Sequence, residues 1–256
     1  MGKIYTLSLT TLREALRERI FWVVVFLAVG LFALSFLMGA LSFAEQRKIL
    51  TDFGFLAIQI SALGVSLFSG AYLLAKEVEK QTCLLILSRP VSRDQFILGK
   101  ALGLIALNTI LMGTLGIVLW GLLGLWQEKA LWVSFLEICV SLWFESVVVL
   151  SLVICFSLVV RPVLALVAGI MVFLLGHWLG DLAFFAQKSQ EEALVKIVEG
   201  LHWITPNLYR MNWKSAYFLE KGIPNADILW MFGHMLGWTV LALVATSFLF
   251  RRKDIV

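Results

Sequence analysis

The chain of 256 residues is 61% hydrophobic and only 15% charged, with a mean hydropathy of +0.92. A water-soluble domain is nearer half apolar and a quarter charged, so this surplus excludes an ordinary soluble core and points to helices in a bilayer. A net charge of +4 fits the basic residues that gather on the cytoplasmic side of membrane proteins, and nucleic-acid binding is set aside.

In chain order, residues 3–19 mix charges with apolar residues. Leu9, Leu12, Leu16 and Ile20 follow 3–4 spacing, which predicts an N-terminal amphipathic helix on the membrane surface. Nineteen residues carrying both acids and bases precede a long apolar run, a pattern unlike a signal peptide. Six apolar runs follow, at 20–44, 53–75, 101–126, 130–160, 162–186 and 228–250. Each suffices to cross about 30 Å of hydrocarbon at about 1.5 Å per residue. The expected fold is an all-α integral membrane bundle of six spans, forming one domain over 1–256. Residues 76–100 form a charged segment between spans two and three. Residues 187–227 form an outer segment between spans five and six, helical at its start, where Ala193, Leu194, Ile197, Val198 and Leu201 recur at helical spacing. Arg161-Pro162 marks a tight turn between spans four and five, with Pro162 opening a helix.

Basic residues set the orientation. With the N-terminus inside, 13 Lys and Arg fall on inner segments, 3 in the short outer loops and 5 in the long one. Both termini are therefore expected in the cytoplasm, with the spans in a cell membrane. Trp22, Trp126, Trp132, Trp178 and Trp230 lie near span ends, as interfacial anchors do. Cys83, Cys139 and Cys155 are widely spaced and read as small apolar residues rather than disulfide partners or metal ligands. Gly99-x-x-x-Gly103 and Gly176-x-x-x-Gly180 allow close helix approach, within the chain in preference to between two copies. No phosphate-binding loop, H-E-x-x-H or G-x-S-x-G motif occurs, so the chain is expected to be non-catalytic and to hold neither ATP nor metal itself.

Residues 76–103 carry the most information. Leu84, Leu85 and Leu87 give an apolar face at helical spacing, Arg89-Pro90 breaks the helix, and Ser92 is a fitting N-cap for a new helix from Arg93 into span three. From spacing alone the stretch serves equally as a solvated loop or as a short cytoplasmic helix hinged to a span. The run E-x-E-x-x-T, five residues, S-R-P-V-S-R, then F-x-x-G-K resembles the coupling-helix region of ABC-2 type permeases, the membrane subunits of ATP-binding-cassette exporters. Thr205-Pro206-Asn207-Leu208, Met211-Asn212-Trp213-Lys214 and Phe250-Arg251-Arg252-Lys253-Asp254 are similar to the ending common in one subgroup, the permease of the exporter that serves nitrous oxide reductase maturation. Gln81 departs from the glycine that many members carry before the threonine.

The resemblance implies an export pathway driven by a separate cytoplasmic ATPase that binds ATP and magnesium. It also implies a second permease copy or homologue in a dimer, surrounding membrane lipids and accessory proteins on the outer side. It implies that Glu77, Glu79, Thr82, Arg89, Pro90 and Arg93 dock that ATPase or set the bend. Glu137, Glu145 and Asp181 are candidate groups of the substrate pathway, because ionisable residues within spans usually face a bundle interior or a wet cavity. For Glu145 the alternative is a structural carboxyl bonded to Asn108 or Gln59 on another helix. His177 and Asp181, four apart, are placed to pair on one helix face. A stand-alone secondary transporter or channel using Glu145 is the rival function.

Overall fold

The computed structural model describes residues 2–41, 46–79, 91–124, 132–189, 191–218 and 223–252. The described residues contain helices α1 (Gly2–Arg17), α2 (Arg19–Leu41), α3 (Gln46–Glu79), α4 (Arg93–Gly124), α5 (Trp132–Val159), α6 (Pro162–Ser189), α7 (Glu192–Ile204) and α8 (Asn225–Arg252). Two short 3-10 turns, Leu208–Met211 and Lys214–Phe218, lie between α7 and α8. No strand occurs among the described residues. Six helices, α2 to α6 and α8, are long and apolar enough to cross a membrane. The fold is the all-α bundle of six spans that the apolar runs predict.

Helices α3 and α4 overrun the predicted spans. The apolar run of span three starts at 101, yet α4 begins at Arg93; that of span two covers 53–75, yet α3 covers Gln46–Glu79. Hydropathy registers only the part of a helix that sits in hydrocarbon, and charged turns at either end continue the same backbone. At the start of α4, Ser92 and Gln95 close a reciprocal capping box: Gln95 N donates to Ser92 Oγ and Ser92 N to Gln95 Oε1, both at 3.2 Å. Pro162 opens α6 three residues after Val159 closes α5, at the turn read from Arg161-Pro162.

Helix α5 is the axis of the bundle. Of its apolar window 78% is buried, against 22% for α6 and 17% for α8. It packs on α3, α4, α6 and α8, while α2 packs on α3 and α1 on α4. The buried stripe of α1 differs from the predicted leucine stripe. Thr11 and Ala15 are its buried residues, with Leu12 and Leu16 only partly covered. Small residues win because α1 lies almost backbone to backbone on α4. A Cβ on Gly99 would stand 2.6 Å from Leu7 Cβ, and one on Gly103 2.7 Å from the Ser8 carbonyl. Gly99 and Gly103 thus serve packing within the chain.

The end of α3 meets α1 through Lys76 and Glu18, and the start of α4 meets the end of α8 through Arg93 and Asp94, so these four described elements share one end of the bundle. That end carries most of the basic residues and is called the basic end; its opposite is the far end. Thr82, Arg89, Pro90, Cys83 and the predicted coupling helix lie outside the described residues, as do the side chain of Glu79 and Trp126.

Candidate functional site

The junctions flanking the coupling stretch are tied by charge. Lys100 of α4 is 5% exposed and Glu77 of α3 is 8% exposed. The Lys100 ammonium donates to Glu77 Oε1 and lies 3.4 Å from Glu14 Oε2 of α1. Lys76 meets Glu18 at 2.8 Å. A buried ammonium shared by two carboxylates locks three helices, because losing either charge strands the other in a low dielectric.

On the other flank, Arg93 Nη1 donates to the carbonyls of Phe250 at 3.1 Å and Arg251 at 2.9 Å. These are among the last carbonyls of α8, which lack helical partners and carry the negative end of the dipole, so a guanidinium suits them. Beside them Arg251 Nε donates to Asp94 Oδ1 at 2.8 Å, with a second bond from Nη2 to Oδ2. Phe96 stacks on Phe250 at 5.5 Å. Both described residues proposed from sequence for this region, Glu77 and Arg93, are therefore engaged within the chain. Their positions suit setting the junction between segment and bundle.

The second site lies inside the bundle, and its foundation is the outer segment. Residues 205–218 do not stay on the surface. Leu208 and Met211 are fully buried, and Gly176 and Gly180 of α6 make room for Pro206, Leu208 and Tyr209. A Cβ at Gly176 would stand 2.7 Å from the Pro206 carbonyl, and one at Gly180 2.6 Å from Tyr209 Cδ2. Non-helical backbone at membrane depth survives only where protein satisfies its polar groups. Here Ser141 of α5 donates to the Met211 carbonyl, and Asn207 N donates to His234 Nε2 of α8 at 3.1 Å. Two tight turns, Leu208 N to Pro206 O and Trp213 N to Met211 O, both at 2.9 Å, satisfy more. Arg210 lies over the Trp230 ring at 4.0 Å.

This re-entrant segment delivers Lys214 to a polar cluster. The Lys214 ammonium donates to Gln59 Oε1 of α3. Gln59 Nε2 donates to Glu145 Oε1 of α5 at 2.9 Å and lies 3.1 Å from His177 Nε2 of α6. Glu145 Oε1 and His177 Nε2 are themselves 3.2 Å apart. Four side chains from three spans and one re-entrant turn thus form one connected group. Burial lowers the pKa of Lys214 from its usual value, while Glu145 and Asp52 act to hold it charged. Gln59 lies six residues inside the apolar run that begins at 53, about 9 Å along the helix, so the cluster falls within the far-end part of that span. Lys214 also lines a cleft of about 640 Å³ with Lys48, Asp52, Phe53, Asn212 and Phe218.

Other sequence candidates fall elsewhere. Asn108 serves a separate layer, donating to Ser66 at 2.9 Å and Ser146 at 2.8 Å; Gln59 is the partner of Glu145. Asp181 is exposed, and His177 turns to Glu145 and Gln59 instead. Glu137 lines a separate groove of about 400 Å³ with Trp132, Trp213 and Met231. Lys214 was quoted only within a tail motif. Nothing in its local spacing marks it, because a non-helical loop carries no periodicity that would say where it points. No group of three or more metal-ligating side chains occurs among the described residues.

A bundle of six long apolar helices with a polar cluster within suits a membrane transport component. The family model for ABC-2 family transporter proteins matches residues 6–255, and the chain belongs to that family. The match is to the family as a whole, without distinguishing the nitrous oxide subgroup. No curated protein sequence matches the chain.

Proposed function

We propose that the chain is the membrane-spanning subunit of an ATP-binding-cassette exporter. Its basic end faces the cytoplasm, and residues 76–100 couple it to a separate ATPase that supplies ATP and magnesium. ABC-2 family permeases generally pair with a cytoplasmic ATPase, which supports the reading. The observation that carries it is the anchoring of the coupling stretch on both flanks. One flank is held by Glu77–Lys100–Glu14 and the other by Arg93 and Asp94 on the end of α8. A push on a segment so tethered moves α1, α3, α4 and α8 together, whereas a solvated loop would absorb it. Chemistry at the nucleotide belongs to the partner, and this chain supplies the pathway, paired with a second permease chain. Glu79, Thr82, Arg89 and Pro90 then meet the ATPase, while Glu77 and Arg93 pass the motion on.

The Gln59–Glu145–His177–Lys214 cluster favours a second reading, a stand-alone transporter that uses Glu145. Photo-crosslinking separates the two. A photoreactive residue at Thr82 is expected to capture a soluble chain bearing a P-loop, and the same residue at Asn212, at the far end, is not. Equal capture from both positions, or from neither, would favour the stand-alone transporter.

A further inference from the structure

The polar cluster has an unusual occupant. Gln59, Glu145 and His177 come from three spans, and the Gln59 amide links them to a side chain from outside the spans: its Nε2 faces Glu145 and His177, and its Oε1 accepts from Lys214. Lys214 enters on a non-helical turn that can leave the bundle without unwinding a span. Glu145 is 2% exposed. Among the described residues, its Oε2 and His177 Nδ1 are buried without a hydrogen-bond partner. Glu145 Oε1 and His177 Nε2 are 3.2 Å apart, with Gln59 Nε2 at hydrogen-bond distance from both. Withdrawing the ammonium would leave a carboxylate inside the membrane without compensation, which is costly unless another positive charge arrives.

We propose that Gln59, Glu145 and His177 form a cation site inside the bundle that Lys214 occupies as a tethered ligand. Segment 205–218 then leaves the bundle only when a free cation from the far side, a proton or an ammonium ion, takes its place. The cleft lined by Lys48, Asp52, Asn212 and Lys214 is the route of entry.

Glu145, Asp52 and His177 act in one direction on Lys214 on acidification. Protonating Glu145 of α5 or Asp52 of α3 removes an attraction. Protonating His177 of α6 adds a repulsion. Lys48 of α3 stays cationic and repels throughout. His234 of α8 and His202 of α7 face the segment at Asn207, at hydrogen-bond distance from its N and Oδ1. Protonating His234 removes the acceptor that holds the Asn207 N–H, so it too loosens the segment. The inference concerns the far end alone and stands whether or not an ATPase docks at the basic end.

The test reads exposure of the segment in the full chain in lipid nanodiscs. Met211 is fully buried under the segment and Asn212 is exposed beside it. Maleimide labelling of Met211→Cys, relative to Asn212→Cys under identical conditions, is followed by peptide-resolved mass spectrometry; Leu208→Cys replaces Met211→Cys if that variant misfolds. The ratio is expected to rise about tenfold, within the range usual for coupling between two ligands of one protein. A rise in mildly acidic buffer identifies the proton. A rise with ethylammonium at neutral pH, absent with tetramethylammonium at the same ionic strength, identifies an organic ammonium ion. Glu145→Gln removes the charge to be compensated, so its ratio is expected to be high already and insensitive to both. A wild-type ratio unmoved by acid and by ethylammonium overturns the proposal, as does a Glu145→Gln chain that responds like wild type.

Discussion

At the residue scale the two sites make opposite demands on charge. The Asp94–Arg251 pair is exposed, and exposed pairs contribute little to stability, typically under about 1 kcal/mol. Arg251→Asp is therefore expected to leave the melting temperature almost unchanged while uncoupling ATP hydrolysis from transport. The swap Asp94→Arg with Arg251→Asp should restore coupling, read as transport-stimulated ATPase activity in proteoliposomes. Uncoupling that the swap fails to repair would mean that something other than this contact is at work. Lys214 sits in a drier place. Lys214→Met strands Glu145, whereas Lys214→Met in a Glu145→Gln background strands nothing. A double-mutant cycle on thermal stability should yield a coupling of about 0.5–3 kcal/mol. Strict additivity would place the two side chains out of contact. Among the residues proposed from sequence, Glu145 was legible as a carboxylate in an apolar helix, and Gln59 as one of its two named partners. The His177–Asp181 pairing was misleading, because an i, i+4 spacing specifies a shared helix face and says nothing of what the neighbouring helix offers.

At the element scale, two glycine pairs that look alike in sequence hold two different elements. Gly99 and Gly103 seat α1 on α4, and Gly176 and Gly180 seat residues 205–211 on α6. Gly103→Val drives a branched side chain into Thr11 and the Ser8 carbonyl and should loosen α1, seen as faster proteolysis within residues 2–17. Overpacking of this kind costs about 1–3 kcal/mol. Gly176→Val should instead expose Met211 and leave α1 protected. If each change loosens both elements, the two ends of the bundle are not independent. Hydropathy reveals the six spans because each must be apolar over its membrane-crossing length. The start of α4 at Arg93 was legible too, since Ser92 and Gln95 form a local capping pair. The dip of residues 205–218 into the bundle was not legible: its polar backbone is satisfied by Ser141 and His234, partners 70 and 27 residues away, and no local signal encodes them.

At the scale of the whole molecule, α5 is the axis on which both sites turn. It carries Glu145 in the polar cluster and Ser141 beneath the re-entrant segment, and it packs on α3, α4, α6 and α8. Helices α3 and α8 reach both places: α3 holds Gln59 within and Glu77 at the basic end, and α8 holds His234 against the re-entrant segment and Arg251 at the basic end. On the proposed function, motion imposed at the basic end on α3 and α8 would reach the re-entrant segment through these two helices. This continuity is what an ATP-driven permease requires, and it depends on a partner at residues 76–100. The decisive measurement is gentle purification of the tagged chain from its native membrane, with mass spectrometry of what accompanies it. A stoichiometric soluble ATPase bearing a P-loop is expected, depleted on Arg93→Glu while the permease itself remains folded. A chain that purifies without any ATPase after mild crosslinking, or an Arg93→Glu variant that retains both ATPase and transport, would contradict coupling through this segment.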